Sequence, residues 1–211
     1  MSYAIHEMFP TLQGEGYHAG TPAVFIRFAG CNYWSGNPAH RETSECPFCD
    51  TEFRGTGGRG GGRLSAQEIA TQARSMGAGI GWAVCTGGEP LLQLDSDVVD
   101  ALHAEGFKVA VETNGSVELC FQNRMGIDWV CCSPKSSKRQ RLKWADELKV
   151  VYPAQPPEEW RNLVNARHLF VQPMDGDKDT RERATEQAIR FVMDNPDWRL
   201  SVQTHKDVGL P

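Results

Sequence analysis

No apolar run in the chain approaches the roughly 18 residues that a membrane-spanning helix needs, so a membrane protein is not expected. The segment Met1 to Pro10 carries His6 and Glu7 and has no basic start leading into an apolar stretch, so no secretory signal is read there and a cytoplasmic location is expected. Internal repeats and Pro- or Ser-rich linkers are missing. Positive charge in excess is missing too: 22 Lys and Arg against 27 Asp and Glu leave −5, which argues against broad nucleic-acid binding. What is present is a chain of 211 residues, 40% hydrophobic and 23% charged, long enough for a core of its own and expected to form one domain over 1–211. Cysteine is the unusual count: seven, an odd number, in a chain without a secretory signal. A disulfide framework is therefore not expected, and metal, redox chemistry or burial must account for them.

The apolar pattern alternates strand and helix. Short apolar runs at 23–28, 82–85, 108–111, 128–132, 148–152, 168–171 and 198–202 read as seven strands. Helices are predicted after a capping box at Ser65-Ala66-Gln67-Glu68, from Asp95 to Glu105 with Gly106 ending it, and from Thr180 to Met193. The glycine-rich stretch 55–63, flanked by Arg54, reads as a flexible loop; it lacks the strand before it and the Gly-Lys-Ser/Thr end of a phosphate loop. Strands alternating with helices predict a parallel sheet covered by helices, either doubly wound or a complete or partial barrel.

Polar and glycine-rich segments follow the strands: Gly30-Cys31, Thr86-Gly87-Gly88-Glu89-Pro90, Glu112-Thr113-Asn114-Gly115, Ser133-Pro134-Lys135, Gln172-Pro173-Met174-Asp175 and Gln203-Thr204-His205-Lys206. Parallel α/β folds and barrels hold their sites at that edge, so one active-site face is predicted.

The cysteines divide by place. Cys31, Cys46 and Cys49 form a C-x14-C-x2-C set. Zinc would want a fourth ligand, which His40 offers. A redox pair would sit at a helix start and leaves Cys31 unexplained. An iron–sulfur cluster on three thiolates leaves one iron open, and Cys31 directly after a strand places the loop 31–49 at the catalytic edge, which favours this third reading. Cys85, Cys120, Cys131 and Cys132 are expected to be packing residues; the adjacent pair would face opposite sides of a strand.

Three cysteines after a first strand, with Gly87-Gly88-Glu89-Pro90 after the second, resemble the radical S-adenosylmethionine (SAM) superfamily. The wide first cysteine gap, with Leu12-Gln13-Gly14-Glu15-Gly16, Phe25-Ile26-Arg27-Phe28, Cys49-Asp50-Thr51 and the later strand-end segments, resembles the 7-carboxy-7-deazaguanine synthase family from about residue 10 onward. The resemblance implies a modified partial (βα) barrel, conversion of 6-carboxy-5,6,7,8-tetrahydropterin to 7-carboxy-7-deazaguanine with loss of ammonia, a [4Fe–4S] cluster, SAM and Mg²⁺. It further implies a homodimer, an external electron donor such as flavodoxin, and a place in queuosine biosynthesis.

By the same resemblance Cys31, Cys46 and Cys49 hold the cluster and Thr51 holds Mg²⁺. Phe48, Asp50, Gly87, Gly88, Glu89, Ser133, Lys135, Gln172 and Asp175 are implied to contact SAM. Leu12, Gln13, Gly14, Glu15, Arg27, Thr86, His205 and Pro211 are implied to contact substrate. Plainer roles stand beside these: a structural ion pair for Arg27, a loop cap for Thr51, an edge histidine for His205, and a simple strand-end turn for Glu112 to Asn114. A glycyl-radical activase is the alternative within the superfamily, and a zinc or redox C-x-x-C module the alternative outside it.

Overall fold

In a computed structural model of the chain, residues 1–119 and 124–211 are described; the expectation for Cys120 lies outside them. Among the described residues nine strands form one sheet in the order β3-β1-β2-β4-β5-β6-β7-β8-β9. Seven are mutually parallel and answer to the seven predicted runs: β2 (Pro22–Phe28), β4 (Trp82–Gly87), β5 (Lys108–Thr113), β6 (Trp129–Cys132), β7 (Trp144–Tyr152), β8 (Asn165–Pro173) and β9 (Trp198–Leu200). The edges β3 and β9 do not pair, so the sheet is open rather than a closed barrel.

Two strands were not foreseen. β1 (Tyr3–Leu12) runs antiparallel to β2, and a register shift between Ile5 and Glu7 breaks the period-2 alternation by which a strand is read. β3 (Gly62–Leu64) pairs antiparallel with β1, so the glycine-rich stretch 55–63 is irregular up to Gly61 and strand in its last two residues. That stretch lies on the sheet edge: Gly58 donates to the His6 carbonyl at 3.0 Å, Met8 donates to the Arg59 carbonyl at 2.7 Å, and a Cβ on Gly61 would lie 2.1 Å from the His6 carbonyl oxygen. Glycine is required there by close backbone approach.

Helices cover the outer face. α1 (Ala66–Met76) begins at the predicted capping box, with Ser65 and Glu68 reciprocally bonded. α2 (Ser96–Ala104) is capped by Asp95, and α4 (Lys178–Asp194) by Asp177. The short α3 (Pro157–Leu163) and α5 (Thr204–Asp207) were not predicted; each is too short to display a period.

Strand alternation sorts the side chains. Val24, Ile26, Phe28, Cys85, Val109, Val111, Val130, Cys132, Leu148, Val150 and Val171 join the helices in the main core. The residues between them face inward: Phe25 and Arg27, Val84 and Thr86, Ala110 and Glu112, Cys131, Glu147 and Lys149, then Gln172. The inner face is apolar toward the strand starts and polar toward their ends. The β1–β2 connection crosses this interior, where Gly16 donates to Ser201 Oγ at 2.9 Å and Tyr17 to Glu147 Oε2 at 2.8 Å. No helix among the described residues is long and apolar enough to cross a membrane.

Candidate active site

A cavity of about 420 Å³ opens at the C-terminal ends of the parallel strands. Its wall holds all three cysteines of the spaced set, Cys31, Cys46 and Cys49, with Phe48, Asp50 and Thr51 from the same loop. Thr86, Gly87 and Gly88 follow β4; Ser133 and Lys135 follow β6; Gln172 and Asp175 end β8. Leu12, Gln13, Glu15, Arg27, His205 and Pro211 complete the predicted residues that reach it.

Two predicted residues do not. Gly14 lies behind the wall, where a Cβ would meet His205 Nδ1 at 1.9 Å, and its carbonyl accepts from Thr204 N at 3.0 Å. Its function in the structure is to let α5 seat His205 at the rim. Glu89 is fully buried, and its carboxylate already accepts from Leu91 N at 3.0 Å, Thr113 Oγ1 at 2.8 Å and Asn114 N at 2.7 Å. It clamps the turn after β4 to the end of β5. Burial pushes its carboxyl up to about 7 against the pull of those three donors.

The cysteine loop is held from several sides. Tyr33 N donates to Cys31 Sγ at 3.4 Å, and Asn114 Nδ2 approaches the same sulfur at 3.9 Å. A hydrogen bond from Cys46 draws the Cys49 thiol down to about 7, while the same bond and burial push Cys46 up; burial also raises Cys31. Cys46 and Cys49 lie in a turn rather than at a helix start, which removes the redox-pair geometry. His40 is exposed, bonds Ser35 at 3.2 Å, and does not reach the cavity. Among the described residues no group of three or more His, Cys, Asp or Glu closes on a single metal ion. The remaining described cysteines are buried: Cys85 and Cys132 in the main core, Cys131 beside Glu147 on the inner face.

The same cavity holds a cage of polar groups. Lys149, with only 3% of its side chain exposed, donates to Glu112 Oε2 at 2.9 Å and to Glu15 Oε2. Gln13 Nε2 donates to Glu112 Oε1 at 2.9 Å; Gln203 Nε2 and Gln172 Nε2 donate to Glu15 Oε1 at 2.8 and 3.1 Å. Burial raises the Glu15 carboxyl, but the Lys149 charge and these donors outweigh it and hold it below the ordinary value. Desolvation works against the Lys149 ammonium, yet the surrounding acidic groups keep it well above its ordinary value. Lys206 bridges Asp175 at 2.6 Å and Asp50 at 2.8 Å; burial opposes the Asp50 charge, and the Lys206 bond prevails, leaving that carboxyl at about 2. Arg27 Nε pairs with Glu7 Oε1 at 2.8 Å at the cavity wall, so the ion pair considered for it is present.

Sequence reasoning missed Lys149, Lys206 and Glu7, and set Glu112 aside as a turn residue. A lysine between Leu148 and Val150 in an apolar strand was the signal for Lys149, since a charge at that position must find partners.

A parallel, open barrel with three thiols and a glycine pair at its C-terminal edge defines the class: this is the radical SAM fold, and a crystal structure of QueE from Escherichia coli matches it with a TM-score of 0.72 and 28% identity, over 96% of this chain and 94% of that one. No family model matches the chain. Curated relatives named 7-carboxy-7-deazaguanine synthase match over the full length of both sequences: 48% identity for the protein of Bradyrhizobium diazoefficiens, 46% for that of Bordetella pertussis and 40% for that of Bacteroides thetaiotaomicron. The chain belongs to the 7-carboxy-7-deazaguanine synthase family. The fold and family expected from the sequence both hold.

Proposed function

We propose that this chain converts 6-carboxy-5,6,7,8-tetrahydropterin to 7-carboxy-7-deazaguanine with loss of ammonia, as a radical SAM lyase in the route to queuosine and other 7-deazapurines. The observation that carries the reading is the meeting, in one cavity, of the three thiols with the Gln13, Glu15, Glu112 and Lys149 cage.

The donor set suits an iron–sulfur cluster. Three soft sulfurs line one cavity, the number that leaves one iron of a four-iron cluster open. Cys31, Cys46 and Cys49 would hold a [4Fe–4S] cluster, which with SAM supplies the single-electron chemistry that starts hydrogen abstraction. Gly87 and Gly88 give backbone access beside the cysteine loop, and Phe48, Asp50, Ser133, Lys135, Gln172 and Asp175 line the rest of that half. Lys135 Nζ donates to Ser133 Oγ at 2.7 Å and sits 5.7 Å over the Phe48 ring, so its charge faces an anionic group such as a carboxylate.

The other half suits a flat, polar heterocycle. Gln13, Glu15 and Glu112 present donors and acceptors in a fixed array, because Lys149 pins both carboxylates. Thr51 Oγ1 offers an oxygen for Mg²⁺, which would share the substrate carboxylate and keep waters. Arg27, steadied through Nε by Glu7, has its guanidinium at the same wall to meet a carboxylate. His205 and Pro211 cover the rim; the Pro211 carbonyl accepts from Thr11 Oγ1 at 3.2 Å. Leu12 and Thr86 complete the lining and help exclude water.

The same reading includes a cytoplasmic homodimer that receives electrons from an external donor such as a flavodoxin. The test is an anaerobic assay with reductant, SAM, Mg²⁺ and the carboxylated tetrahydropterin. Formation of 7-carboxy-7-deazaguanine is expected; failure with a fully loaded cluster removes the substrate assignment, and zinc in place of iron and sulfide removes the cofactor assignment.

A further inference from the structure

The loop from Cys31 to Cys49 must bring two well-separated parts of the chain to one place. Fourteen residues separate Cys31 from Cys46, and closing a longer loop costs more chain entropy than closing a short one. The loop's only regular element is the three-residue turn Pro38–His40, which buries no residue. Something else must fix it.

Two arginines do so, each stacked on an aromatic ring from the same short segment. Arg41 lies 4.2 Å over the Trp34 ring, and its Nη1 donates to the carbonyls of Pro47 at 3.0 Å and Cys49 at 2.8 Å. Both acceptors belong to the Cys46–Cys49 turn. Arg139 enters from outside the loop, after β6 and the Ser133-Pro134-Lys135 segment. It lies 4.8 Å over the Tyr33 ring, and its Nη1 donates to the Asn32 carbonyl at 3.0 Å and to Glu45 Oε1 at 3.0 Å. Asn32 follows Cys31 and Glu45 precedes Cys46, so one guanidinium joins the two ends of the fourteen-residue gap. Glu45 N also donates to the Tyr33 carbonyl at 3.4 Å, closing the same junction through the backbone.

We infer that Arg41 and Arg139 are positioning residues for the cluster thiolates: a pair of ring-stacked guanidinium clasps that hold the cysteine loop closed before any iron arrives. Guanidinium suits the task because its planar fork serves several acceptors while its face stacks on a ring, which an ammonium cannot do. Arg41 bonds the backbone of the ligand Cys49 and of its neighbour Pro47, and Arg139 bonds the neighbours of Cys31 and Cys46, so both act on the thiols from the shell around them. They also place two positive charges beside what would be an anionic cluster, and net charge nearby is one of the determinants of its potential. This inference rests on the iron–sulfur reading above and not on the pterin assignment.

The test is anaerobic reconstitution of the full chain with iron and sulfide, followed by iron loss to a chelator and by the cluster's midpoint potential. Arg41→Gln and Arg139→Gln are expected to lose iron roughly ten- to hundredfold faster than the wild type, the usual penalty for removing an outer-shell partner. Their midpoints are expected to move to more negative values as a nearby cation is lost. Thermal melts of the iron-free proteins report the fold separately. Should a glutamine variant not fold, Arg41→Lys and Arg139→Lys carry the same test: they keep the charge and lose the stacked fork, so iron loss accelerates while the midpoint stays. Iron retention and midpoints equal to the wild type in all four variants overturn the inference. A wild type that takes up no iron overturns it together with the cofactor reading, whereas a loaded wild type that turns over no pterin overturns only the substrate assignment.

Discussion

Lys149 on β7 reaches past β6 to donate to Glu112 at the end of β5, at 2.9 Å, and the same ammonium holds Glu15 on the β1–β2 connection. One buried cation thereby fixes two strands and a loop around the half of the cavity assigned to the substrate.

Lys149→Met removes that cation and leaves two carboxylates facing each other. Breaking a buried pair this way costs about 3–5 kcal/mol, read as a lower urea midpoint at neutral pH. Glu15 is held below its ordinary value in the wild type, so its contribution is present above the unfolded carboxylate range and is lost as pH falls through the lowered value. In the variant burial acts on Glu15 without the Lys149 charge to oppose it, so the penalty of the substitution is largest at neutral pH and shrinks as the carboxylates take up protons. A penalty that stays constant from neutral pH into the carboxylate range counts against this account.

Glu89 gives the opposite sign. Its folded value of about 7 stands above the ordinary 4.5, so between these the folded protein holds a proton that the unfolded chain releases. Its contribution therefore falls as pH rises across that window and is level above it, by about 3 kcal/mol over the full range. Glu89→Gln abolishes this slope. Urea titrations of both proteins through the window check it: equal slopes refute the assignment.

Gly88→Ala places a Cβ 2.0 Å from the Gly30 carbonyl oxygen and 2.8 Å from Cys31 Cβ. Backbone cannot yield as a flexible side chain does, so Cys31 must shift. A stability loss of about 1–3 kcal/mol is expected, as for other overpacked sites, together with reduced cluster iron after reconstitution. Full iron content in this variant would show that Cys31 tolerates the displacement.

Thr51→Ala tests the Mg²⁺ oxygen alone. The Mg²⁺ concentration for half-maximal turnover is expected to rise about tenfold, equivalent to ~1.4 kcal/mol, with cluster iron unaltered. An unchanged requirement assigns Thr51 to the loop, where its hydroxyl donates to Asp50 Oδ1 at 3.3 Å.

Much of the architecture was legible in the chain because its signals are local. Each of the seven parallel strands is a short apolar run, Ser65 and Glu68 announce α1, and the glycine-rich and polar segments mark the strand ends. β1 was not legible, since its shift between Ile5 and Glu7 disrupts the alternation and its partners are distant in sequence. Every residue named for the site lines the cavity except Gly14 and Glu89, while Glu7, Lys149 and Lys206 line it without having been named. Gly14 and Glu89 belong to the right segments, but their neighbours, His205 and the pair Thr113 and Asn114, are brought to them only by folding.

The sequence by itself determined the family, the parallel barrel and the three thiols, because spacing and residue type carry those and survive without any knowledge of contacts. Only the tertiary structure decided which groups work as a set. That Lys149 serves Glu15 and Glu112, that Lys206 bridges Asp50 and Asp175, and that Arg139 joins the ends of the cysteine loop all depend on register between strands and on loops crossing the barrel. A charged side chain states in the sequence that it needs a partner; the fold alone says which one it receives.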